Sequence, residues 1–428
     1  MSNKSIQLIT PNSITANVNN SEIVGSKFDR IVSMFLLVII SPLLVCNVLF
    51  AKIKNKPILK TVQTKDCLNR MVQHYKFTSG LFKNSLILYA VFRQQLALCG
   101  MPIGLTLSQD QKNKLRNYNF ILPGLFNAVR LHRSTGLTSQ DSVTLLQEQF
   151  SYSISRYISL LARCIISRFI YSSKTKSLAT PAKFSLFGLE INNVSMQQAV
   201  SWVVENRESN LKCKIGCFAN VNSVNLAAKH KQLVTNINSA DRCFADGSGL
   251  RLAAKKIGIN IKENVNGTDM LPHLCKAAVH EGLSIYLLGG SEDVALKTAN
   301  NLRNQFPGLR IAGAHHGYFP QHKTSHITEA INKSNADILL LAMGSPVQEE
   351  WLNKQASLLK CRTALAVGGL FDFYSGKIPR APMWMRELGL EWIWRLMQEP
   401  RTKFNRYVIG NPLFLFRTFV LNQANRGL

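Results

Sequence analysis

The chemistry this sequence can offer lies in three glycine turns, one aspartate between small residues and a train of arginines. Gly289-Gly290-Ser291-Glu292, Gly344-Ser345-Pro346-Val347-Gln348-Glu349 and Gly368-Gly369-Leu370-Phe371-Asp372 each follow a short apolar run. Glycines there let the backbone approach a diphosphate, and a helix starting at the turn presents unpaired N–H groups to it. A tight turn capped by Ser291 would explain the first alone; three such turns make coincidence a poorer explanation. Gln348 and Glu349 fall in a first helical turn, where an amide and a carboxylate can hydrogen-bond ribose or sugar hydroxyls. Asp246 precedes Gly247-Ser248-Gly249 at a loop tip, placed either as a general base toward a hydroxyl or as an Asx-turn. Asn220, Asn222 and Asn225 follow an earlier apolar run, and Gly267-Thr268-Asp269 opens a helix that Thr268 or Asp269 could cap. Arg380, Arg395, Arg401 and Arg406 supply positive charge toward the C-terminus. No GxGxxG, Walker, DxD, HExxH or GxSxG pattern occurs, so no cofactor and no bound metal is called for.

The elements that must position these residues are legible from Phe184 onward. Apolar runs at 215–219, 284–288, 310–314, 338–343 and 363–367 read as strands, with an apparent short strand before Asp246. Helical patterns lie between them at 223–238, 267–281, 292–305, 323–335 and 346–359. Such alternation implies a mostly parallel, doubly wound α/β sheet, whose ligands bind beyond the C-terminal strand ends. After Pro382 the pattern is helical and basic.

The preceding half has a different texture. Residues 1–183 carry 23 Lys and Arg against 6 Asp and Glu, within a net charge of +27 for all 428 residues. A mean hydropathy near zero excludes a chain that spans membranes throughout. One run, residues 31–51, holds no charge and is long enough for a bilayer crossing at about 1.5 Å per residue. Lys27, Arg30, Lys52, Lys54 and Lys56 flank it, as suits an anionic cytoplasmic leaflet. Ser41-Pro42 in its middle leaves two alternatives open, a straight span and a helix–break–helix that re-enters one face. The charge alone would also suit nucleic acid, but no binding motif or aromatic stacking pattern supports that partner. Nine scattered cysteines without CxxC spacing point to reduced thiols in the cytoplasm.

The segments FANVNSVNLA, DGSGLRLA, NGTDML, YLLGGS, HGYF, MGSPVQEEW, VGGLFDFYSGKIPRAP, GLEW and RLMQEPRTKFNRY occur in this order. Across about 184–408 the chain resembles the WecG/TagA/CpsF glycosyltransferases. The resemblance implies an inverting enzyme that moves an N-acetylhexosamine, typically N-acetylmannosamine, from UDP to a polyprenyl-diphosphate-linked sugar. It assigns Asp246 as catalytic base, with Asn222 in the same pocket. It also assigns Gln348, Arg380, Arg395, Arg401 and Arg406 to substrate binding, to which the turns read above add Asn220, where the family often has threonine, with Thr268, Asp269, Gly289, Gly290, Gly344, Glu349, Gly368 and Gly369. Val347 stands where the family's PKQE motif has lysine. KFDRIVSMFLLVIISPLL, HYKFTSG, LCGMPIG and ILPGL resemble a shortened polyprenyl-phosphate phosphoglycosyl transferase. No Asp-Glu pair occurs between Lys27 and Tyr171, so the implied role is membrane docking, with a bifunctional enzyme as the alternative.

The expected fold is a Rossmann-like, mostly parallel α/β sheet with a C-terminal helical appendage, preceded by a mainly helical membrane-associated domain. Its divisions are a disordered stretch at 1–26, the membrane-associated domain at 27–171, a linker at 172–183, the transferase core at 184–382 and the appendage at 383–428. The expected partners are a UDP-sugar, a polyprenyl-diphosphate-linked acceptor and anionic lipid of the bacterial inner membrane, at its cytoplasmic face. Assembly into a homo-oligomer is left open.

Overall fold

The computed structural model describes residues 20–79, 83–137, 141–151, 153–171, 178–205 and 212–425. The chain divides into two compact units, Met1–Ser134 with Gln140–Ile170, and Thr135–Ser139 with Tyr171–Leu428.

The first unit begins with α1 (Asn20–Ile53), so helix is already present before the boundary expected at residue 27; residues 1–19 lie outside the described residues. By length and composition Lys27–Ile53 could cross a membrane, and Phe35, Val38 and Ile53 on it are more than 60% exposed. Of the two alternatives left open at Ser41-Pro42, the structure has the unbroken helix, which runs through Pro42. Pro42 has no N–H to give the Val38 carbonyl, and the Ser41 hydroxyl donates to that carbonyl instead, at 2.7 Å.

The rest of this unit is less helical than its sequence suggested. A hairpin of β1 (Leu59–Lys65) and β2 (Met71–Phe77) is followed by α2 (Ile87–Phe92). A small parallel sheet, in the order β3-β5-β4, comprises β3 (Ala97–Cys99), β4 (Met101–Pro102) and β5 (Pro123–Phe126). The remaining helices are α3 (Gln109–Lys114), α4 (Ala128–Thr135), α5 (Ser142–Phe150) and α6 (Ile154–Tyr171). Leu96, Leu98, Met101, Leu146 and Leu160 are buried at its core.

In the second unit, eight strands among the described residues form one sheet in the order β11-β10-β12-β13-β8-β9-β7-β6. They are β6 (Lys183–Leu186), β7 (Leu189–Asn192), β8 (Lys214–Ala219), β9 (Arg242–Ala245), β10 (Ser284–Gly289), β11 (Arg310–His315), β12 (Ile338–Ala342) and β13 (Thr363–Ala366). All neighbours pair in parallel except β6 and β7, a hairpin turned by Phe187 and Gly188, both at positive φ. That hairpin takes in the end of the expected linker. Residues 172–177 lie outside the described residues, Ala179 bridges Ile259, and Lys183 is already in β6.

Helices cover both faces: α7 (Met196–Val204), α8 (Val221–Ala227), α9 (Lys231–Asn238), α10 (Ser248–Lys256), α11 (Gly267–His280), α12 (Glu292–Gln305), α13 (Thr324–Lys333), α14 (Val347–Gln355) and α15 (Leu370–Tyr374). This is why β10 and β12 read as continuous apolar runs rather than alternating ones. Ile285, Leu287 and Leu340 pack among residues of α11 and α12, whereas Tyr286, Leu339 and Leu341 pack among residues of α13 and α14. The appendage is α16 (Met383–Glu387), α17 (Glu391–Gln398), α18 (Pro400–Phe404), a π-helical turn at Asn405–Ile409 and α19 (Gly410–Phe419). Phe414 of α19 is buried among Phe187, Leu189 and Val224, so the appendage joins the core instead of hanging from it.

Candidate active site

The chain leaves β10 outward to the edge strand β11 but leaves β12 inward to β13. Loops beyond the C-terminal ends of β10 and β12 therefore diverge, and diverging loops open the crevice in which α/β sheets bind ligands. Gly289-Gly290 and Gly344 lie at these two ends. Gly289, at φ 144°, lies so close to β12 that a Cβ would meet the Ala342 carbonyl oxygen at 2.4 Å. Gly344 and Gly368 also have positive φ, yet a Cβ on either would meet only open space, so these turns face outward.

Asp246 follows β9 directly and is half-buried. Its backbone N–H donates to Ala219 O at 2.8 Å, which sets the residue beside the end of β8. Asn220, the N-cap of α8, uses its Oδ1 to accept from Ser223 N, while its Nδ2 donates to Asp246 Oδ2 at 3.3 Å. One asparagine thus starts the helix and orients the carboxylate. Burial pushes the Asp246 carboxyl up from 3.8 to about 6; Asn220 and the Arg406 guanidinium lower it, and Glu391 and Asp269 raise it. Those influences put α11, α17 and the π-helical turn around the same carboxylate.

Asp269 is the second centre. Asn266 caps α11 by accepting from Asp269 N at 2.8 Å, so neither Thr268 nor Asp269 is the cap. The Asp269 side chain is buried, and its Oδ1 meets Arg380 and Arg386, each at 2.7 Å. Burial raises this carboxyl, but the two guanidiniums outweigh it and hold it below the ordinary value. Arg380 also reaches Glu391 at 3.6 Å. The Nε atoms of Arg380, Arg386 and Arg406 are buried and make no hydrogen bond among the described residues. Three guanidiniums with spare donors near a carboxylate suit a substrate that brings anionic oxygens.

The other expected residues divide by what they touch. Gln348 is buried, and its Oε1 accepts from Gly344 N at 3.2 Å and Gly368 N at 3.0 Å, joining two of the glycine turns. Glu349 is buried too, accepting from Ser345 Oγ at 2.7 Å and Gln348 Nε2 at 2.8 Å. The first turn of α14 carries both side chains inward, and Glu349 Oε2 is buried with no hydrogen bond among the described residues. Arg395 donates to Asp372 Oδ2 and Glu399 Oε2 and stacks on Phe373, tying α17 to α15. Arg401 is exposed. Thr268 contributes its carbonyl to the Tyr374 hydroxyl at 2.9 Å, and Asn222 is half-buried in the first turn of α8. Gly369 is exposed, and a Cβ there would meet Arg395 at 3.1 Å.

Sequence reasoning did not single out Arg386 or Glu391 as site residues, because the segment after Pro382 read only as helical and basic. Asn225, noted with its neighbours, holds α19 by donating to Gly410 O at 2.8 Å and accepting from Arg417 at 3.0 Å. Compared with known protein families, residues 184–427 match the one described as "Glycosyl transferase WecG/TagA/CpsF family".

Proposed function

The chain belongs to the WecG/TagA/CpsF family of glycosyl transferases, and from that premise we propose that it is an inverting, membrane-associated enzyme moving N-acetylmannosamine from UDP to a polyprenyl-diphosphate-linked sugar. The membership makes it a glycosyltransferase, of the hexosyl-transferring kind, in cell-surface polysaccharide biosynthesis. Such enzymes take a nucleotide-sugar donor and a lipid-linked acceptor. The proposal adds the donor, the acceptor, the stereochemistry and the place, the cytoplasmic face of a bacterial inner membrane.

In this reading an Asp246 carboxylate oxygen takes the proton from the acceptor hydroxyl as the hydroxyl oxygen attacks C1 of the sugar. The C1–O bond to the diphosphate breaks, its electron pair leaves with UDP, and attack from the opposite face inverts the anomeric carbon. Negative charge then grows on the diphosphate, where preorganised donors stabilise it most effectively. Arg406, with its buried unbonded Nε, is the donor that fits, and the turns at Gly344 and Gly368, whose N–H groups Gln348 holds, leave open space for the diphosphate. Asp269 serves by holding Arg380 and Arg386 in place. The family resemblance assigns Asn222 to the pocket of Asp246 and Arg401 to a diphosphate or the membrane, and Thr268 is read as substrate-binding from its place at the start of α11.

The observation that carries the mechanism is Asp246 itself. It is a carboxyl raised to about 6 by burial, oriented by Asn220, with Arg406 near enough to lower it. Membrane association is supported by α1, whose apolar side chains are exposed and whose ends are basic. The test presents full-length enzyme with UDP-N-acetylmannosamine and competing UDP-sugars, together with polyprenyl-diphosphate N-acetylglucosamine. Transfer is expected from UDP-N-acetylmannosamine first, with an inverted linkage in the product. No transfer from any UDP-sugar would overturn the proposal, and a retained anomeric configuration would overturn its mechanism.

A further inference from the structure

Helix α6 lies outside everything used so far. Its buried side is formed by Leu160, Leu161, Cys164 and Ser167. Ile154, Ile158, Ile165 and Ile166 on the same helix are 37–44% exposed. At about 100° per residue, Ile154, Ile158 and Ile165 fall in one stripe, and Arg156, Ser159 and Arg163 form a second about 150° further round, with exposed Ile166 between them. An apolar stripe and a basic one on separate faces of one helix are the pattern of one lying in a membrane interface.

Two further observations say what covers this face. Arg156, Ser159 and Arg163 line an open cleft of about 320 Å³ with Ser151 and Glu148 from the end of α5. Two guanidiniums and two hydroxyls outnumber the single carboxylate, so the cleft suits a phosphate ester. The same helix is also fixed at the start of the apolar run. The Tyr157 hydroxyl donates to Asp29 at 2.8 Å, its ring meets Phe28 edge-on at 6.2 Å, and Asp29 precedes the first apolar residue of the run, Ile31, by one basic residue. Where α1 enters a bilayer, α6 begins at the headgroups.

We propose that α6 is a second lipid-contacting element, an interfacial helix whose isoleucine stripe enters an anionic bilayer while Arg156 and Arg163 hold lipid headgroup phosphates in their cleft. The proposal rests on the membrane reading of α1 and adds a site to it. It also gives the N-terminal unit a fixed attitude, because one membrane-crossing helix leaves a domain free to swivel and a second contact stops it.

Cys46 is exposed on α1 and the other eight cysteines are buried, so single-site labelling is practicable. Full-length Cys46→Ser/Ile158→Cys would carry an environment-sensitive fluorophore on α6, with wild type labelled at Cys46 for comparison. Both would be reconstituted into phosphatidylcholine vesicles with and without phosphatidylglycerol, with shallow nitroxide lipids as quencher. The α6 label is expected to shift to the blue and be quenched, more so with phosphatidylglycerol. Adding Arg156→Gln/Arg163→Gln should remove that lipid dependence, at roughly fivefold in docking equilibrium per arginine. A water-like α6 label beside a lipid-buried Cys46 label would overturn the proposal and leave the reading of α1 standing. Two water-like labels would overturn both.

Discussion

A carboxyl that takes a proton near neutral pH works best when its own pKa lies a little below that pH, as at Asp246. On this account kcat/KM climbs as pH rises through about 6 and levels above it, because only the deprotonated carboxylate can act as base. The neighbours make the assignment testable by sign. Arg406 lowers this carboxyl and Glu391 raises it, so Arg406→Gln should move the acidic limb to higher pH and Glu391→Gln to lower. Limbs that stay put in both variants would mean that another group titrates. Stability follows the same shift. Between 3.8 and about 6 the folded protein holds more of this proton than the unfolded chain, so the burial of Asp246 destabilises increasingly as pH rises through that window. Asp246→Asn should therefore melt higher than wild type at neutral pH, by about 2 °C or more, while losing about 10²–10⁴ in kcat. Asp246 drew notice as an acid ahead of Gly247-Ser248-Gly249, which left base and Asx-turn both open until the family resemblance favoured the base. Arg386 and Glu391 were not, since a charge on a short helix carries no mark of the residue it will meet.

Elements here are held by single side chains whose removal has distinct consequences. Gln348 accepts from two glycine turns with one oxygen, so Gln348→Ala leaves two part-buried N–H groups unpaired, at about 1–3 kcal/mol each. Thermal stability should fall and the donor KM should rise, since both turns loosen together; an unchanged KM with a lowered Tm would assign Gln348 to the fold alone. Asn225 joins α8 to the appendage, and Asn225→Ala should make the segment after α18 more sensitive to limited proteolysis and lower kcat through Arg406. β8, β10, β12 and β13, buried along their whole length, were readable as apolar runs, because two covering layers demand them. The β6–β7 hairpin was not, since it turns at Phe187-Gly188, which lacks the usual Asn-Gly or Asp-Gly signal. The segment 223–238, read as one helix, is instead α8 and α9, interrupted at residues 228–230 without a glycine or proline to announce it.

At the scale of the whole chain, an excess of basic residues and one uncharged apolar run set the N-terminal half apart, and both features are plain in the sequence. Its small parallel sheet was hidden, because β3 and β4 are three and two residues long, too short for any periodicity. If α1 lies in a bilayer, Val38, exposed near the middle of its apolar run, meets lipid. Val38→Asp then costs about 2.5–3.5 kcal/mol of insertion and should release part of the protein in an alkaline carbonate wash that wild type withstands. Equal extraction of the two would place α1 elsewhere. The central claim concerns Asp246, and one assay addresses it most directly. Transfer from UDP-N-acetylmannosamine to polyprenyl-diphosphate N-acetylglucosamine is measured for wild type and Asp246→Asn across pH 5 to 8. The expected result is a wild-type rate that rises through about 6 and a rate lower by about 10²–10⁴ in a variant that still binds UDP-sugar. Transfer by Asp246→Asn at the wild-type rate would contradict it.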